Sequence, residues 1–131
     1  MHLIDTSIWI EFFPSKGDPV IKATVADLIK TADASYSCPI RFELIAGARS
    51  HEVNDILEGL SFTQRYHIQS AHWNLAASSA ATLRSKGETV PASDILIATI
   101  ADAVNLTLLA RDEHFKLIQK HSLKDLRIVA L

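Results

Sequence analysis

Four acidic residues stand where acids are costly. Most of the 15 Asp and Glu residues lie among polar neighbours, but Asp5, Glu43, Asp94 and Asp112 are set in apolar or small-residue surroundings. The segments are Leu-Ile-Asp5-Thr6-Ser7-Ile-Trp, Arg-Phe-Glu43-Leu-Ile-Ala-Gly47, Pro-Ala-Ser-Asp94-Ile-Leu-Ile-Ala and Leu-Leu-Ala-Arg-Asp112-Glu-His-Phe. A buried carboxylate without a partner must protonate, pair with a base or bind a cation. Three of the four have simpler roles open to them. Asp5 can cap the helix that follows it, Asp94 can answer a helix dipole behind Ser93, and Asp112 can close a turn. Glu43 is harder to explain so. A helical projection places it beside Ile40, Ala46, Gly47 and Ser50, mostly small residues that leave room for something to approach. The same projection puts Asp94 on the face of Ala98 and Ala101, aimed into the molecule. Carboxylates brought together raise one another's pKa, and hard divalent cations relieve the repulsion. Mg²⁺ or Mn²⁺ suits such oxygen donors better than zinc does. A set of this kind hydrolyses phosphodiesters, one ion lowering the pKa of an attacking water and a second steadying the leaving 3′-oxygen.

The four acids come from separate elements, so a fold must gather them. Leu3-Ile4, ending at Asp5, reads as a short buried strand, and Thr6-Ser7 then opens a helix through Ile8, Trp9 and Phe12. Helical periodicity covers Val20 to Thr31, a short strand follows at Tyr36 to Cys38, and Pro39 opens a helix through Arg49. Val53 to Leu60 reads as a helix stopped at Gly59, and Ser61 to Ile68 as an edge strand. Ser70 to Lys86 is an Ala-rich helix ended by Gly87. Ser93 to Val104 is apolar nearly all round and should be buried. Leu106 to Ala110 (strand), His114 to Lys120 (helix) and Leu126 to Leu131 (strand) complete the chain. Short apolar strands alternating with helices imply an α/β protein with a parallel sheet. Its working crevice should lie beyond the strand carboxyl ends, where strand order reverses, and Asp5 and Asp112 both fall there.

Composition bounds the function. With 131 residues, 48% of them hydrophobic, we expect one domain over residues 1–131 with an adequate core. Thirteen Lys and Arg against 15 Asp and Glu give a net charge of −2, which excludes binding nucleic acid through a blanket of positive charge. Without the four singled-out acids the count is 13 basic against 11 acidic residues, or +2, a mildly basic remainder around an acidic pocket. One cysteine, Cys38, permits no intrachain disulfide. With neither a signal-peptide pattern nor an apolar run long enough to span a bilayer, the chain is expected to be soluble and cytoplasmic, without a membrane partner.

The four motifs, in this order and at these intervals, resemble those of PIN-domain ribonucleases of the VapC toxin type, from Leu3 to about Phe115. The resemblance implies a three-layer sandwich with a central parallel sheet of order 3-2-1-4-5. It implies a Mg²⁺- or Mn²⁺-dependent endoribonuclease acting on structured RNA, often tRNA. Carried over residue by residue, it makes Asp5, Glu43, Asp94 and Asp112 metal ligands and Thr6 and Ser7 their supports. It also implies a homodimer neutralised by a small antitoxin whose C-terminal segment covers the active site. Two positions depart from the pattern: Ala110 stands where many relatives have Thr or another polar residue, and His114 where some carry a further acid.

Other residues offer less. Arg111 is the first choice among the basic residues near the motifs for a contact to RNA phosphate, with Arg41, Arg49, Arg84, Lys86 and Lys116 more ordinary surface. The six histidines form no zinc-binding spacing. Trp9, Phe12 and Phe13 read as core or partner-facing anchors rather than base-stacking platforms. Cys38 reads as a small core residue without an adjacent His. The alternatives are a PIN-like module that binds RNA or a partner without turnover, and a metal-dependent DNA nuclease. A signalling receiver domain would want paired acids after the first strand and a Lys after a late strand, and the sequence has neither.

Overall fold

The computed structural model describes all residues, Met1–Leu131. Five strands form one parallel sheet: β1 (His2–Ile4), β2 (Ala34–Ser37), β3 (Gln64–Tyr66), β4 (Thr107–Ala110) and β5 (Arg127–Ala130). Their order is β3-β2-β1-β4-β5. Seven helices connect them: α1 (Thr6–Phe12), α2 (Pro19–Lys30), α3 (Cys38–Gly47), α4 (Val53–Ser61), α5 (Ser70–Ser85), α6 (Ala92–Ala103) and α7 (His114–His121). The α/β class is that expected from the sequence pattern, and the strand order is that implied by the resemblance. No helix is long and apolar enough to cross a membrane.

The central strands are apolar because they are covered on both faces. Leu3, Ile4, Leu108 and Leu109 are all buried within a contiguous core of 26 residues, together with Trp9, Ile97, Ile100 and Phe115. Strand β1 pairs in parallel with β2 on one side and β4 on the other, with Leu3 opposite Ser35 and Leu108. After β1 the chain builds outward through β2 and β3, and only later returns to place β4 against β1. That reversal opens a crevice at the carboxyl ends of β1 and β4. The backbone N–H of Asp5 donates to the Leu109 carbonyl at 2.9 Å, which locks the crevice floor in register.

Several element ends differ from the sequence reading. Cys38 begins α3 rather than ending β2, and α3 stops at Gly47, so Arg49 and Ser50 lie beyond it. Gly59 does not stop α4, which runs on to Ser61. A Cβ at Gly59 would stand 2.5 Å from Cε1 of Phe13, so glycine is needed there for close packing rather than as a terminator. Phe13 in turn stacks on Trp9 with ring centroids 5.5 Å apart, while Phe12 meets Trp9 edge-on at 5.6 Å. Gly87, at φ +75°, follows α5 in the left-handed conformation that glycine adopts freely. Cys38 is half-buried, and the fold brings a histidine to it: Sγ lies 3.8 Å from Nδ1 of His67.

Candidate metal centre

Asp5 is both a helix cap and a crevice acid. It follows β1 directly and caps α1, its Oδ2 accepting from the backbone N–H of Ser7 at 3.0 Å and from Ser7 Oγ at 2.6 Å. Ser7 Oγ also accepts from the backbone N–H of Arg111 at 3.1 Å, tying the end of β1 to the segment after β4. Burial pushes the Asp5 carboxyl above its usual pKa, the Ser7 hydrogen bonds oppose the rise, and the charge of Glu43 adds to it.

Glu43 reaches the same crevice from α3. Thr6 Oγ1 donates to Oε1 at 2.8 Å and Ser93 Oγ donates to Oε2 at 3.3 Å. The sequence reading had Thr6 and Ser7 as supports; Ser93 is a third hydroxyl it did not single out. Its signal was only its place before Asp94.

Asp94 lies in the first turn of α6 and is 8% exposed. Burial raises its pKa to about 6, with the charges of Asp5 and Asp112 adding to the rise and His114 opposing it. Asp112 is exposed, just past β4, and its Oδ1 accepts from the backbone N–H of His114 at 2.9 Å, turning the chain into α7. His114 Nδ1 lies 2.9 Å from Asp94 Oδ2 and 3.1 Å from Asp112 Oδ1. The ligand-capable atoms of Asp94, Asp112 and His114 lie within 4.8 Å of one another. The sequence reading noted His114 only as a departure, because a histidine at a helix start does not reveal that an aspartate from another helix meets it.

Arg111 does not reach the four acids. Its guanidinium lies 3.4 Å from Glu11 Oε1 and 3.2 Å from Asp18 Oδ2, and its Nε donates to the Leu131 carbonyl at 3.3 Å. No lysine or arginine pairs with Asp5, Glu43, Asp94 or Asp112; the Lys and Arg ion pairs of the protein go to Glu11, Asp18 and Glu113. Mutually repelling, partly desolvated carboxylates that lack a cationic side chain are suited to a divalent cation.

A parallel sheet of this order with an acidic crevice at the β1/β4 switch defines a class, and comparison with known proteins identifies it. The family model of the PIN domain matches residues 2–120. The VapC ribonuclease Mb1587 of Mycobacterium bovis and ribonuclease VapC11 of Mycobacterium tuberculosis are each 31% identical over 124 residues, covering 92% of both chains. The chain therefore belongs to the PIN-domain family, among the VapC-type members. Solved structures share the fold: VapBC2 from Rickettsia felis, bound to a promoter DNA fragment, superposes with TM-score 0.81 at 18% identity over 99% of this chain and 98% of that one. VapBC from Salmonella typhimurium, also DNA-bound, gives TM-score 0.81 at 18% identity over 98% and 96%.

Proposed function

We propose that the protein is a divalent-metal-dependent endoribonuclease, the toxin of a type II toxin–antitoxin pair, which hydrolyses phosphodiester bonds in structured RNA such as tRNA. The observation that carries the reading is the buried Asp94, with its pKa raised to about 6 beside Asp5 and Asp112 and no Lys or Arg to neutralise the group. Support comes from the relatives, whose names describe ribonucleases.

Asp5, Glu43, Asp94 and Asp112 would hold Mg²⁺, with Mn²⁺ as a substitute. A bound cation would supply a lowered pKa to water and positive charge to the phosphodiester, chemistry suited to hydrolysis leaving a 5′-phosphate and a 3′-hydroxyl. The protein's own groups fix the donors beforehand. Ser7 holds Asp5 in one rotamer, and Thr6 with Ser93 grips both oxygens of Glu43, so little side-chain freedom is lost on loading. Arg111, although paired, keeps 43% of its side chain exposed and offers positive charge to RNA beside the crevice.

The partner in this reading is a small antitoxin, supported by structural neighbours that include a toxin–antitoxin complex from Klebsiella pneumoniae and a member of the VapBC family of toxin–antitoxin systems from Mycobacterium tuberculosis. Its segment would lie in a groove of about 220 Å³ that adjoins Glu43, with Ile10, Phe13, Leu44 and Ile56 as apolar lining and Glu52 and Asp55 as acids. That lining fits an apolar tail carrying arginine. A second copy of the chain would cover the apolar face of α5 and α6 around Trp73, Ala77, Ala80 and Leu96, giving the homodimer. A single PIN domain acting in the cytoplasm completes the reading.

The test is incubation of purified protein with total RNA and with DNA in Mg²⁺, followed by end-group analysis. RNA fragments bearing 5′-phosphates, formed by the wild type and not by Asp5→Asn, are expected. RNA cleaved equally by both proteins overturns the assignment, and cleavage confined to DNA overturns the substrate.

A further inference from the structure

We propose that His114 supplies a nitrogen ligand to the cation held by Asp94 and Asp112, biasing the centre toward first-row transition metals over magnesium. This deepens the metal-centre reading and rests on it. Adjacent donors around an octahedral divalent ion with bonds of about 2.1 Å stand about 3.0 Å apart. The Nδ1 atom of His114 stands 2.9 Å from Asp94 Oδ2 and 3.1 Å from Asp112 Oδ1, two of the three donor separations such an ion requires, and the ligand-capable atoms of all three residues lie within 4.8 Å of one another.

The position of the ring is built rather than incidental. His114 opens α7, its backbone N–H is fixed on Asp112 Oδ1 at 2.9 Å, and its neighbour Phe115 is fully buried in the core. Asp112 and His114 thus form a two-donor turn anchored by Phe115, facing the donor on α6. No protein group lies within hydrogen-bonding distance of Nε2, whereas Nδ1 faces both carboxylates. The ring proton can therefore reside on Nε2, leaving the Nδ1 lone pair for the metal. An imidazole nitrogen favours manganese, and cobalt more strongly, over magnesium, which prefers oxygen ligands and retained water.

Pulsed EPR on the full-length protein loaded with Mn²⁺ reads the ligand directly. The expected spectrum of the wild type shows ¹⁴N coupling from a bound imidazole, replaced by ¹⁵N coupling when the protein is grown with [¹⁵N]histidine. In His114→Asn that coupling disappears, Mn²⁺ affinity by calorimetry falls about tenfold, and Mg²⁺ affinity changes less than about twofold. His114→Gln serves if the asparagine variant does not fold, and the wild-type spectrum needs no variant. Mn²⁺ bound to the wild type without histidine nitrogen coupling, or equal weakening of both ions in the variant, overturns the proposal and leaves the carboxylate centre standing. Failure of the wild type to bind millimolar Mn²⁺ overturns both.

Discussion

The two ends of the crevice are built by opposite means. At the β1 end, Asp5 and Glu43 are held by hydroxyls from Ser7, Thr6 and Ser93, each donating at 2.6 to 3.3 Å. At the β4 end, Asp94 and Asp112 share one imidazole and have no hydroxyl support. Hydroxyl donors stabilise ionised carboxylates and fix their rotamers without supplying charge. The first end is therefore organised without a cation, although burial raises Asp5 there too, whereas at the second Asp94 lacks hydroxyl support and is raised to about 6. The contrast assigns pre-organisation to one side and the drive for cation binding to the other.

The largest effect that could break this division is on catalysis. Asp94→Asn, which removes the strained carboxylate, should lower RNA cleavage by at least about 10³-fold while circular dichroism stays native. A variant retaining most of its activity would show that the β4 end is dispensable. Next in size is the strain itself. The folded protein holds the Asp94 proton more tightly than the unfolded chain does, with a pKa of about 6 against 3.8. Ionisation of Asp94 thus costs nothing below about pH 4, costs progressively more as pH rises toward 6, and is fully adverse above it. In EDTA, Asp94→Asn should accordingly stabilise the protein at pH 7.5 by on the order of 2 kcal/mol and do little at pH 4. Urea unfolding at both values checks this, and an equal change at both would remove burial as the source of strain.

Smaller effects sharpen the other end. Thr6→Val deletes the donor to Glu43 Oε1 and should weaken Mn²⁺ binding about tenfold by calorimetry, with little change in melting temperature. Binding as tight as wild type would mean that Glu43 needs no support. Smallest is Arg111→Ala, which breaks exposed pairs with Glu11 and Asp18 and should change stability by less than about 1 kcal/mol. A several-fold loss of RNA affinity with unchanged Mn²⁺ affinity is expected from the same variant. Loss of Mn²⁺ binding instead would place Arg111 in the support of the centre.

The α/β class and the locations of the acids were legible because they rest on local signals, short apolar strands alternating with helices and acids embedded among aliphatic residues. The sheet order was implied only by the resemblance of the four motifs to PIN-domain ribonucleases. Thr6 and Ser7 were legible as hydroxyls opening a helix after Asp5, and as supports of the acids only through the family resemblance, since Thr6 donates to Glu43, 37 residues away. Ser93 and His114 were not, since their roles depend on partners 50 and 20 residues away. Gly59 misled because a glycine near a helix end usually stops it, and only the approach of Phe13 from another element shows why this one sits inside α4. The engagement of Arg111 was hidden likewise, its partners lying 100 and 93 residues away in sequence.

The central claim is that the carboxylates of this crevice hold a divalent cation. Crystals soaked in Mn²⁺, with diffraction recorded at the manganese edge, test it most directly. An anomalous peak is expected in contact with the Asp94 carboxylate, in the space bounded by Asp5, Glu43 and Asp112. A fully occupied peak elsewhere, or none at millimolar Mn²⁺, would contradict it.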